Sequence, residues 1–260
     1  MSARHHTKRV LGTFLSLTVW FALGCASDGA GTSTLDAAPA PEPLEPPLEV
    51  LLLGDSISIG YHKATVELLS PVANVSRPMR PNGTNPENCQ GTTHGVANIE
   101  RWLAREEGSW DVIHFNLGLH DLKRVDPETR KNSGDPAHPP QATVEVYVEQ
   151  LARIVDALEA TGARLVFATT TPVPEGIKKP VRLPGDSVRY NAAALELMEE
   201  RGIPVNDLYT FVFERGDALM RHGDVHYTRE GSAVLAGEVA ATVLRIAGHD
   251  PATILAASDG

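Results

Sequence analysis

From residue 48 onward, short apolar runs alternate with stretches whose apolar residues recur every three or four positions. Residues 49–53, 112–115 and 164–169 are runs of the first kind, suited to strands buried on both faces. Residues 72–76 and 203–205 are weaker candidates. Between them lie helical stripes. Val96, Ile99 and Leu103 share one face, and Val144, Val148, Leu151, Val155 and Leu158 form the clearest stripe. Residues 192–201 are rich in Ala, Leu, Glu and Met, and Leu235, Val239, Val243 and Ile246 mark a last helix. Strand and helix in alternation predict right-handed crossovers and a parallel sheet covered on both sides. The expectation is one three-layer α/β domain over residues 48–248, with about five strands, followed by a flexible tail over 249–260. Such sheets bind ligands beyond the carboxyl ends of their strands, so the residues after each strand are the ones to inspect.

The pattern changes before residue 48. Arg4, Lys8 and Arg9 precede an apolar run from Val10 to Leu23, and Gly24, Cys25, Ala26 and Ser27 follow. That order is the one an export signal uses, and the run is short for a membrane span. Ala22-Leu23-Gly24-Cys25 resembles a bacterial lipobox, which would make residues 1–24 a leader and Cys25 a lipidated first residue. Cleavage after Ala26 and a retained anchor helix are the alternatives. Residues 25–47 hold Pro39, Pro41, Pro43, Pro46 and Pro47, a density that favours an extended spacer. The resulting expectation is a lipid-anchored protein of the bacterial cell envelope, with secretion as the alternative.

Composition narrows the choice of partners. Of 260 residues, 42% are hydrophobic and 22% charged, which excludes a disordered chain. A formal charge of −10 disfavours nucleic acid and anionic lipid, leaving Cys25 as the only expected link to a membrane. Two cysteines, Cys25 and Cys89, are too few for a disulfide scaffold or a cysteine-rich zinc site.

The strand ends carry chemistry. Gly54-Asp55-Ser56 follows the first strand and puts a hydroxyl beside a helix N-terminus. Gly118-Leu119-His120-Asp121 follows the strand at 112–115, and Gly223-Asp224-Val225-His226 precedes the last helix. A nucleophilic serine needs a base within hydrogen-bond reach, and the base needs an acceptor that fixes its tautomer. Ser56, Asp224 and His226 supply those three types.

These pieces resemble the SGNH (GDSL-type) hydrolase superfamily over roughly residues 48–248. The resemblance implies a flavodoxin-like α/β fold and cleavage of acyl esters, often acetyl groups on carbohydrates, without a cofactor. It makes Ser56 the nucleophile, His226 the base, and the N–H groups of Ser56 and Gly91 part of the oxyanion hole. Supporting matches are Thr171-Pro172-Val173-Pro174, Tyr190-Asn191 and Glu230-Gly231. Two positions depart from the family pattern. His120 stands where the third block has an oxyanion-binding Asn, although Gly-Leu-His-Asp resembles the block of a bacterial subgroup. An imidazole can donate one N–H, but it brings a titration near neutral pH. The carboxylate is expected three residues before the base. Gly223 occupies that position and Asp224 is one closer, so the site is either a triad through Asp224 or a Ser56–His226 dyad oriented by a backbone carbonyl.

Other readings stand beside these. Asp55 and Asp121 read as turn or network acceptors, His114 as a core histidine, and Cys89 as a packed thiol. Asn88 is a candidate pocket residue. His120, Asp121, His222, Asp224 and His226 offer metal-ligating types, but their spacing matches no zinc motif. The loop over 125–141 reads as a lid or substrate rim, or as a plain surface excursion. The expected substrate is a small-molecule or polysaccharide acyl ester. A noncatalytic carbohydrate-binding lipoprotein or an acyltransferase on the same fold is the alternative.

Overall fold

A computed structural model describes residues 47–104 and 109–256. The leader, Cys25 and the spacer up to residue 46 lie outside the described residues. Five strands form one parallel sheet: β1 (Leu48–Leu53), β2 (Ala73–Ser76), β3 (Val112–Phe115), β4 (Arg164–Ala168) and β5 (Val205–Asn206). Their order is β2-β1-β3-β4-β5, the flavodoxin-like arrangement, with its switch point between β1 and β3. Val50, Leu52, Val112, Ile113, Phe115, Val166 and Phe167 are fully buried, as strands covered on both faces require.

Helices cover the two faces. On one side α1 (Ser56–Leu69) packs against α6 (Arg229–Ala247), and α7 (Pro251–Leu255) joins α6. On the other, α3 (Val144–Glu159) packs between α2 (Thr92–Leu103) and α4 (Pro184–Glu200). A single turn and a half, α5 (Leu208–Phe213), follows β5. Helix boundaries follow local chemistry. Thr143 caps α3 by accepting from Val146 N, and Thr228 caps α6 by accepting from Gly231 N. Gly248, at φ 89°, ends α6 in the left-handed conformation that glycine adopts without strain.

Three elements differ from expectation. The helix expected at 192–201 begins at Pro184, because its inner face is built partly of Asp186, Ser187 and Asn191, which an apolar stripe does not reveal. Asp186 is buried there as the 2.9 Å ion-pair partner of the equally buried Arg124. The strand expected at 203–205 is Val205–Asn206, since Pro204 has no N–H to give to a ladder and offers only its carbonyl, to Phe167 N. The tail expected from 249 includes α7, capped by Asp250 and held by the buried side chain of Ile254.

The sheet's carboxyl edge is held to close tolerance at Gly118, just after β3. Its φ is +155°, and a Cβ there would lie 2.2 Å from Thr170 Oγ1 beyond β4. Gly118→Ala should therefore destabilise the fold by on the order of 3 kcal/mol through combined steric and backbone strain. Chemical denaturation checks this, and a loss under about 0.5 kcal/mol, the scale of an unstrained surface change, would contradict it.

Candidate active site

Ser56 is the first residue of α1, one position after the buried Asp55. Asp55 Oδ1 accepts from Ile57 N at 2.9 Å and so closes the turn from β1 into the helix. Across the sheet edge, the segment between the single-turn helix at 217–219 and α6 brings in His226. Its Nε2 lies 2.8 Å from Ser56 Oγ, although 170 residues separate the two. Its Nδ1 lies 2.7 Å from Asp224 Oδ1, which also accepts from the His226 backbone N at 3.2 Å. A carboxylate only accepts, so Nδ1 carries the imidazole proton and Nε2 offers a lone pair to the serine hydroxyl. Burial raises the Asp224 carboxyl pKa and the hydrogen bonds from His226 lower it, with a net shift below the usual value. Asp224 therefore reaches the imidazole from two positions away, because Asp224-Val225-His226 folds as a tight turn whose middle side chain, Val225, points into the core.

The segment at 88–91, directly before α2, is docked on the turn after β1. Cys89 N donates to Gly54 O at 3.2 Å, and Asn88 Oδ1 accepts from Gln90 N at 2.9 Å, with Gln90 in the left-handed region at φ 55°. This turn delivers Gly91 to the start of α2. The Asp121 carboxylate packs against it: a Cβ at Gly91 would meet both carboxylate oxygens at 2.7 Å. Asp121 accepts from Thr92 N at 2.9 Å and from Thr92 Oγ1 at 2.7 Å, so it positions the head of α2. Burial raises its pKa to about 6 against those hydrogen bonds. Among the described residues, the backbone N–H groups of Ser56 and Gly91 have no protein acceptor, as expected at helix starts.

His120 projects into the same cleft from the segment after β3. The Lys123 ammonium lies 3.4 Å from its Nδ1. An ammonium only donates, so Nδ1 holds the lone pair and Nε2 carries the proton. Burial first, then the charges of Lys123 and Arg182, pushes the His120 pKa down to about 3. The titration near neutrality that the sequence suggested is thereby removed, and His120 is a neutral N–H donor throughout the physiological range.

These groups line a cleft of about 1600 Å³. Asn88 and His222 line it as well, His222 as an exposed rim residue. Its main wall is the loop over 172–184, and the 125–141 loop reaches it only through Asn132. The reason is that Arg124 N donates to Val181 O, Val181 N to Ser133 O, and Ser133 N to Arg124 O. The 125–141 loop is thus a buttress beneath the 172–184 wall rather than a lid. Among the described residues, no three His, Cys, Asp or Glu side chains gather as a ligand set, and Asp121 is turned toward Thr92 instead. His114 is buried in β3 with Nε2 3.2 Å from the Asn206 amide, and the Cys89 thiol is buried, its pKa raised to about 12 by desolvation. Sequence reasoning missed Lys123 and Arg182. Lys123 sits three residues after His120, a spacing that signalled nothing, and Arg182 has no neighbouring motif at all.

A hydroxyl, an imidazole and a carboxylate in this relay, next to two free N–H groups, can activate a serine toward an acyl carbon and hold a developing oxyanion. Together with the sheet order, they define the class: a carboxylic ester hydrolase on a flavodoxin-like scaffold. The profile of the GDSL-like lipase/acylhydrolase family matches residues 52–234, and the chain belongs to that family. Curated protein sequences give no significant match. Among solved structures, a lipase/acylhydrolase from Enterococcus faecalis is similar over 75% of this chain and 95% of its own, at 17% identity and a TM-score of 0.58. A carbohydrate esterase family 3 protein from Talaromyces cellulolyticus is similar over 77% and 98%, at 16% and 0.52. An acetyl-xylooligosaccharide esterase from Geobacillus is similar over 78% and 95%, at 17% and 0.58. At these identities the likeness is one of fold.

Proposed function

We propose that the protein is a serine esterase that removes acyl groups, acetyl foremost, from carbohydrate esters. The observation that carries this reading is the 2.8 Å approach of Ser56 Oγ to His226 Nε2 at the strand ends of a GDSL-family chain. In the proposed reaction His226 takes the Ser56 proton as the oxygen attacks the ester carbonyl, and Asp224 steadies the imidazolium. The N–H groups of Ser56 and Gly91 and the Nε2–H of His120 receive the oxyanion. The alcohol leaves with the proton from His226, and water then repeats the sequence on the acyl-enzyme. Support for an acetylated carbohydrate comes from the esterases of similar fold, one of which is described as acting on acetyl-xylooligosaccharides. Acetate release from acetylated oligosaccharides by the purified protein tests the reading. Binding of the sugars without release would favour a carbohydrate-binding module instead.

His120 gives the reading a second handle. His120→Ala should lower kcat by about 10²–10³, the usual cost of one oxyanion donor, and His120→Asn should restore most of it. Because His120 stays neutral down to about pH 3, the acid limb of kcat/KM should be the same in wild type and His120→Asn. An acid limb that moved with the substitution would mean that His120 titrates in the working range instead of acting as a neutral donor. We also propose that Cys25 is lipidated and anchors the domain to the cell envelope. Intact mass of the membrane-associated protein checks this, and an unmodified N-terminus at Ser27 would contradict it.

A further inference from the structure

The cleft is basic although the chain is acidic. Its walls carry Lys123, Lys178, Lys179, Arg182 and Arg221 against two carboxylates, Glu175 and Asp224, and Asp224 is engaged by His226. Over the whole sequence the formal charge is −10. Cations have therefore been concentrated where Ser56 and His226 face solvent.

Two of them are costly to keep there. Arg182 is 8% exposed and Lys123 is 9% exposed. A buried cation is ordinarily paired with a carboxylate, because desolvation disfavours the charged form. Arg124, equally buried, meets that rule 2.9 Å from Asp186, whereas Arg77, 6% exposed, is held by the neutral oxygens of Gly54 O, Ser58 Oγ and Glu87 O and does not line the cleft. Among the described residues neither Arg182 nor Lys123 has a carboxylate at ion-pair distance. Arg182 donates through Nε to Leu119 O at 2.8 Å, which fixes the guanidinium beside His120; among the described residues Nη1 and Nη2 have no protein acceptor. Lys123 gives one hydrogen to His120 Nδ1 and has two to spare. Both side chains line the cleft, next to the groups that surround Ser56 Oγ.

A fixed guanidinium with two free terminal nitrogens, beside an ammonium with free donors, is a receptor for a planar or tetrahedral oxyanion. We infer that the cleft selects acyl esters of anionic carbohydrates, with Arg182 and Lys123 receiving a carboxylate or phosphate carried close to the acylated hydroxyl. The inference rests on the esterase reading and specifies its substrate class. The exposed Lys178, Lys179 and Arg221 on the rim would draw a polyanionic chain toward the site.

The test compares kcat/KM of the full chain on three acetylated substrates: a uronate oligosaccharide, a sugar phosphate and a neutral xylo-oligosaccharide. At least one anionic ester should be preferred over the neutral one by about 10-fold, mainly through KM, and its identity names the anion. The preference should shrink in about 0.5 M salt while the neutral reaction changes little. Arg182→Gln should bring the ratio close to one, and Arg182→Lys should keep part of it. The salt dependence of the unaltered protein carries the test should the variants fold poorly. Equal turnover of all three esters overturns this inference and leaves the esterase reading intact. So does an Arg182→Gln loss of the same factor on each ester, which would mean that the cation serves only the reaction's own oxyanion. No acetate from any ester, together with no labelling of Ser56 by an organophosphonate, overturns both.

Discussion

Ser56→Ala is expected to lower kcat by about 10⁶, to the residue of catalysis that binding and the oxyanion donors supply alone. The size follows from chemistry rather than from packing. Alanine keeps the helix start, which Asp55 rather than Ser56 caps, so the fold should survive with its melting temperature nearly unchanged. What disappears is the hydroxyl that lies 2.8 Å from His226 Nε2. His226→Ala should cost about as much, and the double variant hardly more than either, because the two groups act on one proton. Activity measured on an acetate ester at saturating substrate checks all three variants. Ser56→Ala retaining more than about a tenth of wild-type activity would require another nucleophile, since a lost nucleophile costs several orders of magnitude.

Asp224→Asn is expected to lower kcat by about 10⁴. An Asn side chain would still fit the turn, but it can present its amide NH₂ to Nδ1, which stabilises the tautomer that carries the proton on Nε2. The imidazole would then donate to Ser56 instead of accepting from it. The effect should be smaller than that of Ser56→Ala, since the serine and histidine stay in contact. A loss below about tenfold would return the site to a Ser56–His226 dyad, with the 2.7 Å contact of Asp224 and His226 a structural ornament. Sequence spacing alone could not settle this, because whether a carboxylate two residues away reaches its histidine depends on the turn. Here Val225 is buried and both polar neighbours face the cleft.

The same distinction explains how much else could be read beforehand. Strands β1, β3 and β4 were legible because burial on both faces leaves continuous apolar runs such as Val50–Leu53, and α3 because it lies on the sheet with one apolar stripe. The first two turns of α4 were hidden, since its inner face pairs Asp186 with Arg124 across long sequence separation. Within the site, Ser56, Gly91, His120, Asp224 and His226 sit in short motifs at strand ends or just before helices, which is why a sequence could bring them forward. Arg182 had no such frame: it enters through a loop whose path is set by hydrogen bonds to Arg124 and Ser133. The neutrality of His120 was equally out of reach, because it depends on burial and on the two cations packed around it.

Treatment with an organophosphonate ester, followed by peptide mapping, measures the activation of Ser56 most directly. One adduct per chain is expected, on Ser56, formed in wild type and absent from His226→Ala. An adduct on any other residue, or none in a preparation that still hydrolyses esters, would contradict the account.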